Sequence, residues 1–129
     1  MKKTLFNLRF LAVLNLSLFS STSAFAGSLV IEVPDDSEPK KETAVYQCSN
    51  ETKKERVEAT YYTTNDIALV DLKWNGKRII ASNVVSASGA KYVGGEYVWW
   101  TKGNEASFYN TLTEDHATSL TCVEEKSTE

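Results

Sequence analysis

The chain has 129 residues, 14 of them basic and 17 acidic, a length that fits one small domain. The excess of acidic side chains argues against nucleic acid and anionic membrane surfaces as partners. A single histidine excludes a metal centre built from several imidazoles.

Residues 1–26 have the composition of an export signal. Basic residues precede an apolar run at residues 11–19, and Ala24-Phe25-Ala26 matches a small-x-small cleavage site. The apolar run is too short to span a bilayer, and a lipoprotein would need a cysteine at the cleavage point, whereas the first cysteine is Cys48. We therefore expect cleavage after Ala26, no membrane anchor, and a soluble protein in the periplasm.

Cleavage would also change the charge of the chain. It removes three of the 14 basic residues, which leaves 11 against 17 acidic ones and a net charge of −6. Such a charge suits a basic protein partner, although it is also ordinary for solubility.

Two cysteines, Cys48 and Cys122, remain in the predicted mature chain. In an oxidising compartment such a pair is expected to form one disulfide, and two free buried thiols are the alternative. A bridge between them would close nearly the whole domain. It would stabilise the fold by about 4 kcal/mol, because it lowers the entropy of the unfolded chain.

The composition divides the rest of the chain into three parts. We predict a flexible leader at residues 27–43, which has little to bury and carries both prolines. The folded domain is expected at residues 44–123, and a polar tail at residues 124–129.

The predicted elements of the domain are all strands. Val57, Ala59 and Tyr61 alternate with polar residues, as in a half-buried strand, and Asn75-Gly76 predicts a hairpin turn. The strands are expected at residues 45–48, 56–63, 67–74, 77–82, 90–93, 96–101, 106–110 and 117–123. Eight short antiparallel strands favour an all-β fold, a small closed barrel, because closure removes exposed strand edges.

The most informative segment is residues 86–103, which resembles two strands folded back on each other. Gly94-Gly95 predicts a two-residue turn between them. Ser88 would then face Thr101, the neighbour of Lys102, so that a hydroxyl and an ammonium lie about 5–8 Å apart at one end of the sheet. Taken singly, both side chains also fit ordinary turn and surface positions.

Other candidate chemistry is weakly indicated. His116 lies beside Asp115 before the last predicted strand, where a surface turn residue is the ordinary interpretation and a hydrolase site the alternative. The cysteines lack metal-ligand spacing, and no two carboxylates are paired convincingly for acid–base catalysis. The sequence therefore indicates no cofactor.

Aromatic residues are numerous for so small a body. The adjacent Trp99 and Trp100 must point to opposite faces of their strand, so one is expected in the core and the other partly exposed. An exposed tryptophan could anchor an interface or cover the barrel surface. Exposed aromatics would also suit a barrel that binds a sugar or another small ligand, provided that a cavity larger than about 300 Å³ lies inside it.

Two motifs stand together in the chain, Ser86-Ala87-Ser88-Gly89-Ala90-Lys91-Tyr92 and Trp100-Thr101-Lys102-Gly103. Tyr46-Gln47-Cys48 and the late Cys122 flank them. Together these residues resemble the signature and the disulfide frame of the bacterial inhibitors of C-type lysozyme. The resemblance covers residues 46–122, essentially the whole predicted body.

The resemblance implies an eight-stranded antiparallel β-barrel that is not an enzyme and inhibits C-type lysozyme with a loop pair in the active-site cleft. It assigns to Ser88 and Lys102 the contacts with the catalytic glutamate and aspartate of the lysozyme. Members of the family can self-associate, so a homodimer remains open. The supporting motif positions are Tyr92, Trp100, Thr101, Gly89 and Gly103.

Overall fold

The computed structural model describes three stretches of the chain, residues 27–33, 38–113 and 118–126. The chain divides into two units, Met1–Glu32 and Val33–Glu129. In the first unit the described residues, 27–32, form no helix or strand. The predicted export signal at residues 1–26, with its cleavage site, and His116 lie outside the described residues.

Eight antiparallel strands form a closed barrel in which each strand is hydrogen-bonded to its neighbours in the sequence, and β1 pairs with β8. The predicted fold class is therefore confirmed. In the described part of the chain, no helix is long and apolar enough to cross a membrane. The strands are β1 (Lys40–Ser49), β2 (Lys54–Thr63), β3 (Ala68–Trp74), β4 (Lys77–Val84), β5 (Ala90–Gly94), β6 (Tyr97–Lys102), β7 (Glu105–Asn110) and β8 (Leu120–Glu124).

Alternation along the strands directs one set of side chains into the barrel, where they form the core. Trp99 is fully buried and makes edge contacts with the rings of Tyr46 and Phe108, at centroid distances of 4.9 Å and 5.6 Å. Trp74 packs edge-on against Phe108 at 4.9 Å. Large aromatic side chains thus fill the interior, as expected for a barrel of this size.

The Cys48–Cys122 disulfide lies where β1 and β8 close the barrel. The two cysteines are direct partners in the strand register, and 74 positions of sequence separate them. The predicted disulfide is confirmed, and the bridge joins the two strands that are most distant in sequence.

The first strand begins earlier than the sequence analysis predicts. β1 starts at Lys40, inside the segment interpreted as a flexible leader. The reason is β2, which is long enough to pair with this extension, for example through Thr43 and Thr60. The hydroxyls of these two threonines are 3.0 Å apart, so polar residues support this part of the ladder without contributing to the core.

The ordered body also extends into the predicted polar tail. Glu124 ends β8, and the backbone N–H of Glu125 donates a hydrogen bond to the carbonyl of Val45 at 2.8 Å. The carboxylate of Glu125 pairs with Arg56 at 3.3 Å and accepts a hydrogen bond from Gln47. These contacts lower the pKa of the Glu125 carboxyl.

The hairpin between β5 and β6 turns one residue later than predicted. Its two turn residues are Gly95 and Glu96, and Gly94 pairs with Tyr97 inside the ladder. Gly95 has a φ of +56°, as the first central position of a type II′ turn requires. Gly94 is needed for another reason, because a Cβ there would collide with the backbone carbonyl of Ile80 in β4.

Candidate functional site

Two loops of the barrel meet at one of its ends. β4 and β6 run in the same direction, so the β4–β5 loop at residues 85–89 and the β6–β7 turn lie at the same end. We call residues 85–89 and 102–104 the rim. Ser88 and Lys102 therefore share one end, as predicted, although the predicted Ser88–Thr101 pair is wrong, because Ala90 faces Thr101.

Hydrogen bonds to the backbone hold the Ser88 loop in place. The Ser86 hydroxyl donates to the carbonyls of Ser88 and Gly89, each at 3.1 Å. The Trp100 indole N–H donates to the same Ser88 carbonyl at 2.9 Å. The side chain of Ser88 remains exposed. The loop therefore displays this hydroxyl on a backbone that is held by hydrogen bonds from two side chains.

Gly89 brings the two parts of the rim into close contact. Its φ of +65° lies in the left-handed region. A Cβ at this position would collide with the carbonyl oxygen of Thr101 and would lie 2.8 Å from Cγ of Lys102. The Thr101 hydroxyl also donates to the carbonyl of Ala90, at 3.3 Å. Gly103, with a φ of +59° and open space around it, forms the adjacent turn.

The half-buried indole of Trp100, in β6, contacts both parts of the rim. The ammonium of Lys102 lies 5.0 Å from the ring centroid and that of Lys91 lies 5.1 Å from it, both within the range of cation–π attraction. Lys102 is exposed and, among the ion pairs of the described residues, belongs to none. Its charge therefore faces solvent without a carboxylate partner.

Tyr92 occupies a different place from the other motif residues. It is only 7% exposed and points into the barrel, where its ring lies 5.8 Å from that of Tyr61. The Tyr61 hydroxyl is 2.9 Å from that of Tyr46 and accepts a hydrogen bond from Trp99, also at 2.9 Å. Tyr92 is thus part of the core and is not displayed with the other motif residues.

This tyrosine cluster contains no group that titrates near neutral pH. Burial raises the pKa of the Tyr61 hydroxyl, and also those of Tyr46 and Tyr92, above the ordinary tyrosine value. The three hydroxyls therefore remain neutral, and those of Tyr46 and Tyr61 serve as hydrogen-bonding groups of the core.

Three cavities lined by described residues lie away from the barrel centre. A space of 160 Å³ opens beside Trp74 and Phe108, at the end opposite the rim. Two larger grooves, of 410 Å³ and 590 Å³, are lined mainly by outward-facing residues such as Arg56 and Thr43. Neither groove is the interior cavity that a ligand-binding barrel would need. In the described stretches, no cluster of acidic, histidine and cysteine side chains could hold a metal ion.

Sequence reasoning missed the residues that hold the rim together. It left open which of Trp99 and Trp100 is exposed, gave Trp100 only a supporting place in the motif, and gave Ser86 no separate role. The Ser-x-Ser-Gly pattern is the available signal, since serine hydroxyls often bond backbone groups two or three residues away. Nothing in the sequence indicates that an indole twelve residues later bonds the same carbonyl.

The fold and the rim together define a class of protein. The part of the chain that the structure describes is a small closed β-barrel, which displays the Ser88 hydroxyl on a loop held by hydrogen bonds and, at the same end, the Lys102 ammonium without an ion-pair partner. Such a molecule presents its chemistry to a partner at its surface.

A family model described as membrane-bound lysozyme-inhibitor of c-type lysozyme matches residues 46–117. That segment is more than half of the chain and contains both motifs of the rim. The chain belongs to this family.

Curated relatives carry the same description, membrane-bound lysozyme inhibitor of C-type lysozyme. The protein from Pseudomonas aeruginosa is 39% identical over 79 residues, 61% of each chain. The one from Cupriavidus necator is 35% identical over 72 residues, 56% of this chain and 55% of that one. The one from Yersinia enterocolitica is 34% identical over 91 residues, 69% and 73% respectively. The chain thus spans 61% and 55% of the length of the first two.

A solved structure shows the same architecture. It is the crystal structure of Pseudomonas aeruginosa MliC in complex with hen egg white lysozyme, which is 31% identical in sequence. The TM-score is 0.64, and the match covers 78% of this chain and 98% of that one.

Proposed function

We propose that this protein is an inhibitor of C-type lysozyme and has no enzymatic activity of its own. Membership of the family supports the proposal, as does the structural relative solved with a C-type lysozyme bound. The observation that carries it is the rim, where Ser88 and Lys102 lie at the same end of the barrel and both contact Trp100.

The chemistry of the rim matches the chemistry of a glycosidase cleft. A retaining glycosidase, of which lysozyme is the type case, holds two carboxyl groups about 5 Å apart. One is protonated and acts as the acid, and the other is ionised. In the proposed complex the Lys102 ammonium pairs with the ionised carboxylate and neutralises it. The Ser88 hydroxyl, which can both donate and accept, bonds the second carboxyl.

The two proposed contacts would be strong ones. Hydrogen bonds that involve an ionised group are about twice as strong as neutral ones, and a cleft closed by the barrel holds little water. A rim that occupies the cleft also excludes the peptidoglycan strand, so inhibition is expected to be competitive. The net charge of −6 expected for the mature chain would speed its encounter with a basic lysozyme at low salt.

We further propose that the protein is exported to the periplasm without a lipid anchor, although its relatives are described as membrane-bound. The proposal rests on the signal-like residues 1–26 and on the position of the first cysteine. Cys48 is far from the predicted cleavage site and is engaged in the disulfide with Cys122. It is therefore unable to carry a lipid in the folded protein.

The test of the proposed function is a lysis assay. Residues 27–129 are mixed with hen egg white lysozyme, and the clearing of a bacterial cell-wall suspension is followed with time. We expect lysis to stop at equimolar, micromolar concentrations, and the inhibition to be relieved by excess substrate. Undiminished lysis under these conditions would contradict the proposal.

A further inference from the structure

Among the large apolar side chains of the described residues, that of Val85 is the most exposed. It is 100% exposed and directly follows Val84, which is 38% exposed at the end of β4. Single exposed apolar residues are common on protein surfaces, so exposure alone assigns no role. The position of Val85 carries the argument.

Val85 lies in the rim, in the same loop as Ser88. The next residue, Ser86, ties that loop down through its two hydrogen bonds to backbone carbonyls. Val85 is therefore attached to a fixed segment, three residues before the displayed hydroxyl and at the same end of the barrel as Lys102. A partner that contacts Ser88 and Lys102 therefore meets the loop that carries Val85.

We propose that Val85 is an apolar anchor of the lysozyme interface and packs against the wall of the active-site cleft, beside the two carboxyl groups. The inference rests on the proposed function and extends it. Clefts that bind small molecules are lined mostly by apolar and aromatic side chains, with only a few polar groups that fix orientation. Ser88 and Lys102 match the polar groups, and Val85 supplies apolar surface for the wall.

The energetics favour such a division of roles. Bringing charged groups out of water costs free energy that a close ion pair only partly offsets. Burial of a valine side chain contributes favourably in proportion to the apolar area removed from water. Because Val85 contacts little in the free protein, nearly all of its surface is available for burial in a complex.

The chain offers a matched control. Leu112 is 74% exposed and lies between β7 and β8, at the end of the barrel opposite the rim. A substitution there removes a similar apolar side chain without touching the proposed interface.

The experiment measures the Kd and the dissociation rate of hen egg white lysozyme with the mature protein and three variants. We expect Val85→Ser to raise Kd about tenfold, mainly through faster dissociation. Val85→Ile keeps the apolar surface, and Leu112→Ser lies outside the interface, so each is expected to stay within about twofold of the parent protein. Unchanged Tm values would show that all variants are folded.

The outcomes separate the two proposals. If the parent protein binds lysozyme and Val85→Ser binds equally well, the anchor role is wrong and the proposed function stands. The same conclusion follows if Leu112→Ser weakens binding as much as Val85→Ser. If the parent protein fails to bind lysozyme, both proposals are overturned.

Discussion

A single indole organises the displayed residues. The indole N–H of Trp100 donates a hydrogen bond to the Ser88 carbonyl. Its ring lies close to the ammonium groups of Lys91 and Lys102. Cation–π attraction at exposed sites contributes about 0.5–1 kcal/mol, enough to orient a lysine while its ammonium keeps its contact with water. The two lysines differ in position, since Lys91 is half-buried within β5 and Lys102 is exposed at the end of β6.

Because the two lysines differ in exposure, we expect their substitution to affect lysozyme binding differently. Lys102→Ala is expected to weaken lysozyme binding by at least about 2 kcal/mol, or about 30-fold in Kd, because it leaves a carboxylate of the cleft without its partner. Titration calorimetry with hen egg white lysozyme measures the change.

Lys91→Ala is the control, because it removes the same charge and the same contact with Trp100. We expect less than about a fivefold effect on Kd, as for a charge at the edge of an interface. Equal losses in the two variants would mean that only the overall charge matters, and would remove Lys102 from its proposed role.

At the scale of the element, three glycines in and next to the β5–β6 hairpin are needed for three different reasons. Gly95 supplies the positive φ of the turn, Gly94 allows the close approach of β4, and Gly89 combines a positive φ with close contact to β6. The last of these is what brings the two parts of the rim together. A side chain at position 89 would push the Ser88 loop away from Lys102.

We therefore expect Gly89→Ala to be more damaging than Gly95→Ala. Both place alanine in the left-handed region, at a cost of about 1–2 kcal/mol, but only the first adds a collision with the Thr101 carbonyl. Gly89→Ala should lower the free energy of unfolding by at least about 1 kcal/mol more than Gly95→Ala, and should also weaken inhibition of lysozyme.

Urea unfolding and the lysis assay measure the two effects. Gly95 lies at the far end of the barrel, with open space around it, so Gly95→Ala is expected to inhibit normally once folded. Equal stability of the two variants, together with full inhibition by Gly89→Ala, would contradict this account of the rim.

The same glycines show what could be predicted from the sequence. The alternating pattern predicted the strands, and Asn75-Gly76 predicted its turn, because both signals are local. Contact with β4 decides whether Gly94-Gly95 or Gly95-Glu96 forms the turn. No local sequence pattern shows that contact. The error moved each predicted partner by two residues, so the side chains stayed on their correct faces, and Ser88 and Lys102 stayed at one end.

At the scale of the whole molecule, all strand pairs but one join neighbours in the sequence. The exception is β1 with β8, and the disulfide lies in that pair. The ends of the first and last strands were the weakest part of the sequence analysis. Residues 40–43 and 124–125 are polar and look like flanking segments, yet they continue strands whose partners supply the hydrogen bonds.

The disulfide is expected to supply a large part of the stability of this small domain. A double variant, Cys48→Ala with Cys122→Ala, should lose about 2–5 kcal/mol of unfolding free energy, because the unfolded chain regains the entropy of a long loop. Denaturant unfolding of the variant and of the parent protein, each without reductant, measures the difference. A loss below about 1 kcal/mol would show that the disulfide contributes little to the unfolding free energy of the barrel.

The position of this bridge has a consequence for biogenesis. A chain that crosses a membrane from its N-terminus delivers Cys48 to the oxidising side well before Cys122, with 74 positions of sequence between them. Until the second thiol arrives, the first has no intramolecular partner, and afterwards two cysteines allow one intramolecular pairing only. On the proposed route of export, maturation thus requires an oxidant but no rearrangement among intramolecular disulfides, and the bridge forms only after the last strand has crossed the membrane.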